Sequence, residues 1–149
     1  MTTDAHPTAA PPPADATGRN MALLRTAFAT LQDGDVDAVY GMLTEDFVAN
    51  LPGLPEPLRG REHWRPGVAA MHEAFPDLRI DVEELFAAGD RVATRVRMHG
   101  THEGTFQGVP ATHRPVSFHS IELYRMEGDK IAEEWVAPDM ATLMQQITG

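Results

Sequence analysis

The chain has 149 residues, 42% of them hydrophobic and 23% charged, which suits one soluble globular domain and is short for two. Its formal net charge of −10 argues against a nucleic-acid or anionic-membrane partner, because phosphate binding relies on Lys and Arg. There is no cysteine, so disulfides, thiolate metal sites and cysteine nucleophiles are excluded.

Residues 1–19 are rich in Ala, Pro and Thr, with Pro11–Pro12–Pro13, and read as a disordered tail before a domain over 20–149. They lack the basic start and apolar stretch of a secretory signal, and no apolar run approaches the ~20 residues needed to span a bilayer. A cytoplasmic protein is expected. Met21, Leu24, Phe28 and Leu31 recur at helical spacing up to Gly34. Asp35 can cap a second helix with Val36, Val39, Tyr40 and Leu43 inward. Phe47–Leu51 reads as a short strand, and the loop after it, with Pro52, Pro55 and Pro57, reads as irregular. Trp64, Val68, Met71 and Phe75 mark a third helix, with Pro66 tolerated in its first turn.

From Leu78 the period becomes alternating. Ile80, Val82 and Phe86 are expected on one strand face, and Val92–His102, Val116–Met126 and Ile131–Trp135 follow as three more strands. Pro138 and Asp139 open a last helix bearing Met140, Leu143, Met144 and Ile147. The order is that of an α+β layer fold, a curved antiparallel meander around helices, forming a cone whose open end can hold a ligand.

Strand parity selects the side chains that can face such a pocket. His102 shares parity with Val92, Val96 and Met98, so it is expected inward; Arg95, Arg97 and His99 point away. Phe118, Ser120, Glu122, Tyr124 and Met126 form one face of the next strand, and His119, Ile121, Leu123 and Arg125 the other. Ile131, Glu133 and Trp135 share a face on the last, with Glu134 opposite. A desolvated Glu122 would have a raised pKa and could serve as base and then acid. A neutral His102 could hydrogen-bond a developing oxyanion, and Asn50, at the rim, could add a donor.

Each of these residues has a structural alternative. Glu122 can pair with Arg125 or Arg97, His102 can be a hydrogen-bonded core histidine, His119 can be structural, and Glu133 and Glu134 can be an ion-paired strand end. Trp64, Phe75 and Trp135 can be core aromatics, and Asn50 a turn former. No His-x-His or His-Glu-x-x-His spacing occurs, nor any phosphate-binding glycine loop or nucleophile elbow, so neither metal nor cofactor is expected.

Five segments occur in a telling order: Gly60-Arg61-Glu62, Phe75-Pro76-Asp77-Leu78, Gly100-Thr101-His102-Glu103-Gly104, Gly108-Val109-Pro110-Ala111-Thr112, and Gly128 through Trp135. Together they resemble the SnoaL-like polyketide cyclases of the nuclear transport factor 2-like superfamily, from about Met21 to Gly149. The resemblance implies a cone-shaped α+β barrel and a cofactor-independent enzyme of antibiotic or related secondary metabolism, closing a ring by intramolecular aldol condensation. It implies Glu122 at the position of the family's acid/base aspartate, His102 as its pocket histidine, and Asn50 as a residue holding the substrate carbonyl. Trp64, Tyr124, His119, Glu133 and Trp135 are the further expected substrate contacts. Two departures stand out: glutamate is one methylene longer than aspartate, and Glu134 stands where relatives often carry histidine. Epoxide-opening ether or pyran closure, isomerisation, and non-catalytic binding of a hydrophobic ligand remain alternatives. A flat polycyclic substrate and a homodimer or homotetramer are the expected partners.

Overall fold

In the computed structural model, which describes residues 16–149, helix α1 spans Ala16–Gln32. It buries Asn20, Leu24, Ala27 and Phe28, whose three- and four-residue steps make one helical stripe. Residues 16–19, expected in the tail, are the first turn of this helix; residues 1–15 of the expected tail lie outside the described residues. Asn20 Nδ2 donates to the Gly89 carbonyl at 3.4 Å, which ties the helix start to the sheet. Helix α2, Val36–Gly41, is capped by Asp35, whose carboxylate accepts the Ala38 N–H at 3.0 Å. Helix α3, Trp64–Ala74, follows a 3-10 turn over Arg61–His63 and carries Pro66 in its first turn, where a missing N–H costs nothing. Helix α4, Met140–Thr148, starts at Asp139, which accepts the Thr142 N–H at 3.1 Å.

The strands are β1 (Leu43–Asn50), β2 (Leu58–Arg59), β3 (Arg79–Ala88), β4 (Arg91–Thr101), β5 (Pro115–Glu127) and β6 (Lys130–Pro138). They form one sheet in the order β2-β1-β6-β5-β4-β3. The expected meander is β3 to β6, all antiparallel, while β1 runs parallel to β6. The α+β class is therefore as expected, with two corrections. The sheet curls without closing into a barrel, since β2 and β3 remain as edges. The proline-rich loop is not wholly irregular: Leu58 and Arg59 pair with Ala49 and Val48.

Two bulges overturn simple alternation. In β3, Val82 pairs with Val96 but Glu84 pairs with Arg95, so Glu83 is an extra residue. Ile80, Val82, Leu85 and Ala87 consequently face the core, and Phe86, expected beside Ile80, points outward and is 60% exposed. In β6, Glu133 pairs with Arg125 but Ile131 pairs with Met126, leaving Ala132 extra. Ile131 and Ala132 are both buried, and the residues after them change faces relative to the expectation.

The core has two parts. Leu24, Ala27 and Phe28 of α1 pack on Phe47, Val92, Val96, Tyr124 and Ile131 of the sheet. Ala74, Phe75, Val116, Phe118, Leu143 and Ile147 form the second, at the other end of β5. Each fully buried Phe or Leu in these clusters contributes about 1.5–3 kcal/mol.

The end of β4 is locked onto the end of α3. Asp77 accepts the Thr101 N–H and the Thr101 hydroxyl, both at 2.7 Å, and these bonds hold its carboxyl below the usual range. The N–H groups of Glu103 and Gly104 donate to Ala74 O at 2.9 and 3.2 Å, satisfying a carbonyl the helix leaves open. Gly104 lies so close that a Cβ there would stand 2.2 Å from Glu73 O. Gly104→Ala should therefore destabilise the fold by about 1–3 kcal/mol, as overpacking does. A thermal melt matching wild type would contradict this.

Candidate active site

A cavity of about 380 Å³ opens between the two core clusters, within the size range of small-molecule sites. Its walls are mostly apolar: Phe28 and Leu31 from α1, Trp64, Val68 and Met71 from α3, and Met140 and Leu143 from α4. The sheet supplies the polar groups. Ser120, Glu122 and Tyr124 project from β5 and Glu134 from β6, all into this one space. A smaller apolar recess of about 40 Å³ continues past Tyr124 and Glu134 toward Phe47 and Ile131. His63, Phe106 and Gln107 also line the cavity; Phe106 and Gln107 belong to a tight turn closed by Phe106 and Val109.

Glu122 is 4% exposed and accepts a hydrogen bond from the Tyr124 hydroxyl. Burial pushes its carboxyl above the ordinary range, while Tyr124 and then the adjacent Ser120 hydroxyl pull it partly back. Ser120 Oγ, itself buried, has no partner of normal hydrogen-bond geometry among the described residues. Glu134 is pushed up to about 8, first by burial and then by repulsion from Glu122. No side chain among the described residues hydrogen-bonds its carboxyl; Asn50 Nδ2 reaches only its backbone oxygen, at 2.9 Å. Burial first, and the neighbouring carboxylates second, raise the Tyr124 phenol well above its ordinary value, so it stays protonated. Among the described residues no three His, Asp or Glu side chains converge as a metal ion would need.

Of the residues expected at the site, Glu122, Tyr124 and Trp64 line the cavity. His102 does not. It is fully buried beside Phe75, ring centroids 5.8 Å apart, with Nδ1 2.9 Å from Thr112 Oγ1. Nδ1 also accepts the Thr112 N–H at 3.3 Å, so a neutral ring carries its proton on Nε2, which has no partner among the described residues. The backbone of His102 pairs with Arg114 and His113, making it a core histidine that fixes the crossing loop. Asn50 spends its amide on Glu133, at 3.0 Å, and on β6, so it has no donor for a substrate. Glu133 is held on the outer side by Arg125 at 3.3 Å, and Trp135 lies under Arg91. His119 meets Glu83 at 3.2 Å on the same outer face, in a network with Arg95 and Arg97.

The β6 bulge explains the exchange: Glu134, opposite Tyr124, faces the cavity in place of Glu133 and Trp135. Glu134, weighed above as an ion-paired strand end, faces the cavity, and Ser120 and His63 are additions to the expected contacts. The signal for Glu134 was its run of two acids between apolar residues, where one of the pair must face inward.

The sequence matches the SnoaL-like polyketide cyclase family over residues 22–147, and the chain belongs to that family. No curated protein matches it. Among solved structures it is similar to AclR, a candidate hydroxylase from Streptomyces galilaeus, with 27% identity and a TM-score of 0.81 over 88% of this chain and 96% of that one. It is also similar to IdmH, a candidate polyketide cyclase from Streptomyces antibioticus, at 28% identity and a TM-score of 0.79 over 87% and 99%. A SnoaL-like polyketide cyclase assigned by likeness from Jannaschia sp. CCS1 shares the fold, at 22% identity and a TM-score of 0.81 over 99% of each chain. The fold is that of these relatives, and no helix among the described residues is long and apolar enough to cross a membrane.

The position of Glu134 has a consequence for stability. Its carboxyl ionises near 4.5 in an unfolded chain and at about 8 in the folded one. Between those values the folded state holds the extra proton, so stability falls as pH rises and levels off above the higher value. Glu134→Gln removes this dependence. The variant should melt several degrees above wild type at high pH, with the gap closing near pH 4 as wild-type Glu134 is protonated in both states. Equal melting temperatures at high pH would refute the burial of an ionisable Glu134.

Proposed function

We propose that the protein is a cofactor-independent cyclase that closes a ring by intramolecular aldol condensation on a hydrophobic polyketide. The supporting observation is Glu122: a carboxylate buried in an apolar cavity and aimed by a single phenolic hydrogen bond. Raised basicity suits it to remove a proton from a carbon acid next to a carbonyl. The enolate then attacks a second carbonyl of the same molecule, and the new alkoxide is protonated within the cavity. Aromatic walls from Phe28, Trp64 and Phe118 suit a flat polycyclic substrate.

With an aromatic polyketide β-keto ester as substrate, Glu122→Gln should lower the cyclisation rate about 10²- to 10⁴-fold. Wild type in D2O should place deuterium at the reacting carbon. Wild-type turnover by the variant would overturn the role of Glu122. Turnover without carbon-bound deuterium favours a second reading, acid-assisted epoxide opening to an ether, for which the protonated Glu134 is a suitable donor.

The outer face of the sheet supports a homodimeric assembly. Phe86, Ala93, Leu123 and Trp135 form an apolar row across β3, β4, β5 and β6, and Ile121, 62% exposed, lies beside it. Light scattering should give a dimer or tetramer for wild type and a folded monomer for Ile121→Arg/Leu123→Arg. A monomeric wild type would remove the assembly.

A further inference from the structure

We propose that Glu134 is a second catalytic residue, working as the proton donor to the substrate oxygen while Glu122 takes a proton from carbon, so that the two carboxyls share one proton. The inference rests on the ring-closing reading and deepens it.

Geometry carries the assignment. In the β5–β6 ladder Tyr124 pairs with Glu134 and Glu122 with Val136, so the two acids are diagonal neighbours on one face, about 7–8 Å apart and somewhat less at Cβ. Both line the same cavity. Glu122 is engaged by Tyr124, whereas the Glu134 carboxyl has no side-chain partner among the described residues and is free for a ligand. The titratable groups facing this space are Glu122 and Tyr124 from β5 and His63 from the turn before α3; α1, α4, β3 and β4 present only apolar side chains to it. Among the described residues no Lys or Arg lines it, so no guanidinium or ammonium group favours ionisation of the pair.

The proton count closes. The carbon acid gives its proton to the Glu122 carboxylate. As the carbon–carbon bond forms, the π pair of the accepting carbonyl moves to oxygen, which takes the proton of Glu134. The substrate has lost one proton and gained one, and the enzyme holds protonated Glu122 with ionised Glu134. Loss of the proton on Glu122 to water and uptake of one by Glu134, after the product leaves, restore the starting state.

The experiment has two arms on the full chain. The first needs no substrate: carboxyl titration by NMR of 13C-labelled glutamate in wild type, Glu122→Gln and Glu134→Gln. One cavity carboxyl should titrate at about 8, and Glu122→Gln should move the Glu134 midpoint down by about one unit or more. Two midpoints below 6, or a Glu134 midpoint indifferent to Glu122→Gln, overturn the shared proton. The second arm uses the β-keto ester. Activity should rise as Glu122 ionises and fall above about 8, the macroscopic values belonging to the pair. Glu134→Gln should lower kcat about 10²-fold and erase the alkaline limb, with KM little changed and deuterium still entering carbon. Glu134→Asp should regain part of kcat and restore an alkaline limb. An unchanged kcat and limb in Glu134→Gln overturn the donor role while leaving Glu122 as base. Wild-type turnover without carbon-bound deuterium overturns the ring-closing reading instead, and the titration arm still reports on the pair.

Discussion

Two carboxyls on one face of an antiparallel strand pair, walled by aromatic and aliphatic side chains, cannot both be ionised at low cost. Two unit charges about 7 Å apart in an effective dielectric of about 20 repel by about 2 kcal/mol, more than one pK unit, before any desolvation is added. One must keep its proton near neutrality. Tyr124 selects which: its hydroxyl donates to Glu122, and the Ser120 hydroxyl helps, so the charge settles on Glu122 and the proton on Glu134. The cavity thereby holds a base and an acid of the same residue type, distinguished by the hydroxyl groups that favour ionisation of one of them.

The scaffold keeps that distinction by placing the reactive groups on strands and the apolar walls on helices. β5 and β6 pair along most of their length, which limits movement of Glu122 relative to Glu134. The lock of Thr101 onto Asp77, with Glu103 and Gly104 on Ala74, fixes α3 against the same sheet. His102 belongs to this lock. Its ring fills the space beside Phe75 and accepts from Thr112, so its contribution is to hold the crossing loop, whose tip brings Phe106 and Gln107 to the cavity.

Much of this was legible in the residues. The 3.6 period of Leu24, Phe28 and Leu31, the caps at Asp35 and Asp139, and the alternation along β5 all appear in the structure where periodicity puts them. Alternation groups Ser120, Glu122 and Tyr124 on one face, and its aromatic side chains with a single acid mark that face for the pocket. It failed at β3 and β6, where a single extra residue, Glu83 or Ala132, inverts everything beyond it. A bulge leaves little mark in composition, so simple alternation puts Phe86, Glu133 and Trp135 on the wrong side. His102 failed for another reason: its inward parity was right, but inward at that end of β4 means packed against Phe75, outside the cavity wall.

The charge pattern depends on the same bulge. On β4 and β5 the guanidinium groups of Arg95, Arg97 and Arg125 all lie on the outer face, where Glu83 and Glu133 meet them. An acid on that side has a nearby cation that favours its ionised form. The inner face offers no such partner, so an acid there is governed by burial and by its fellow acid. Without the extra residue at Ala132, alternation from Ile131 would turn Glu133 toward the cavity and Glu134 toward Arg125. The tandem acids would exchange environments, and the group opposite Tyr124 would no longer be an unpaired carboxyl. One inserted backbone position thus determines which of two adjacent, chemically identical side chains keeps its proton.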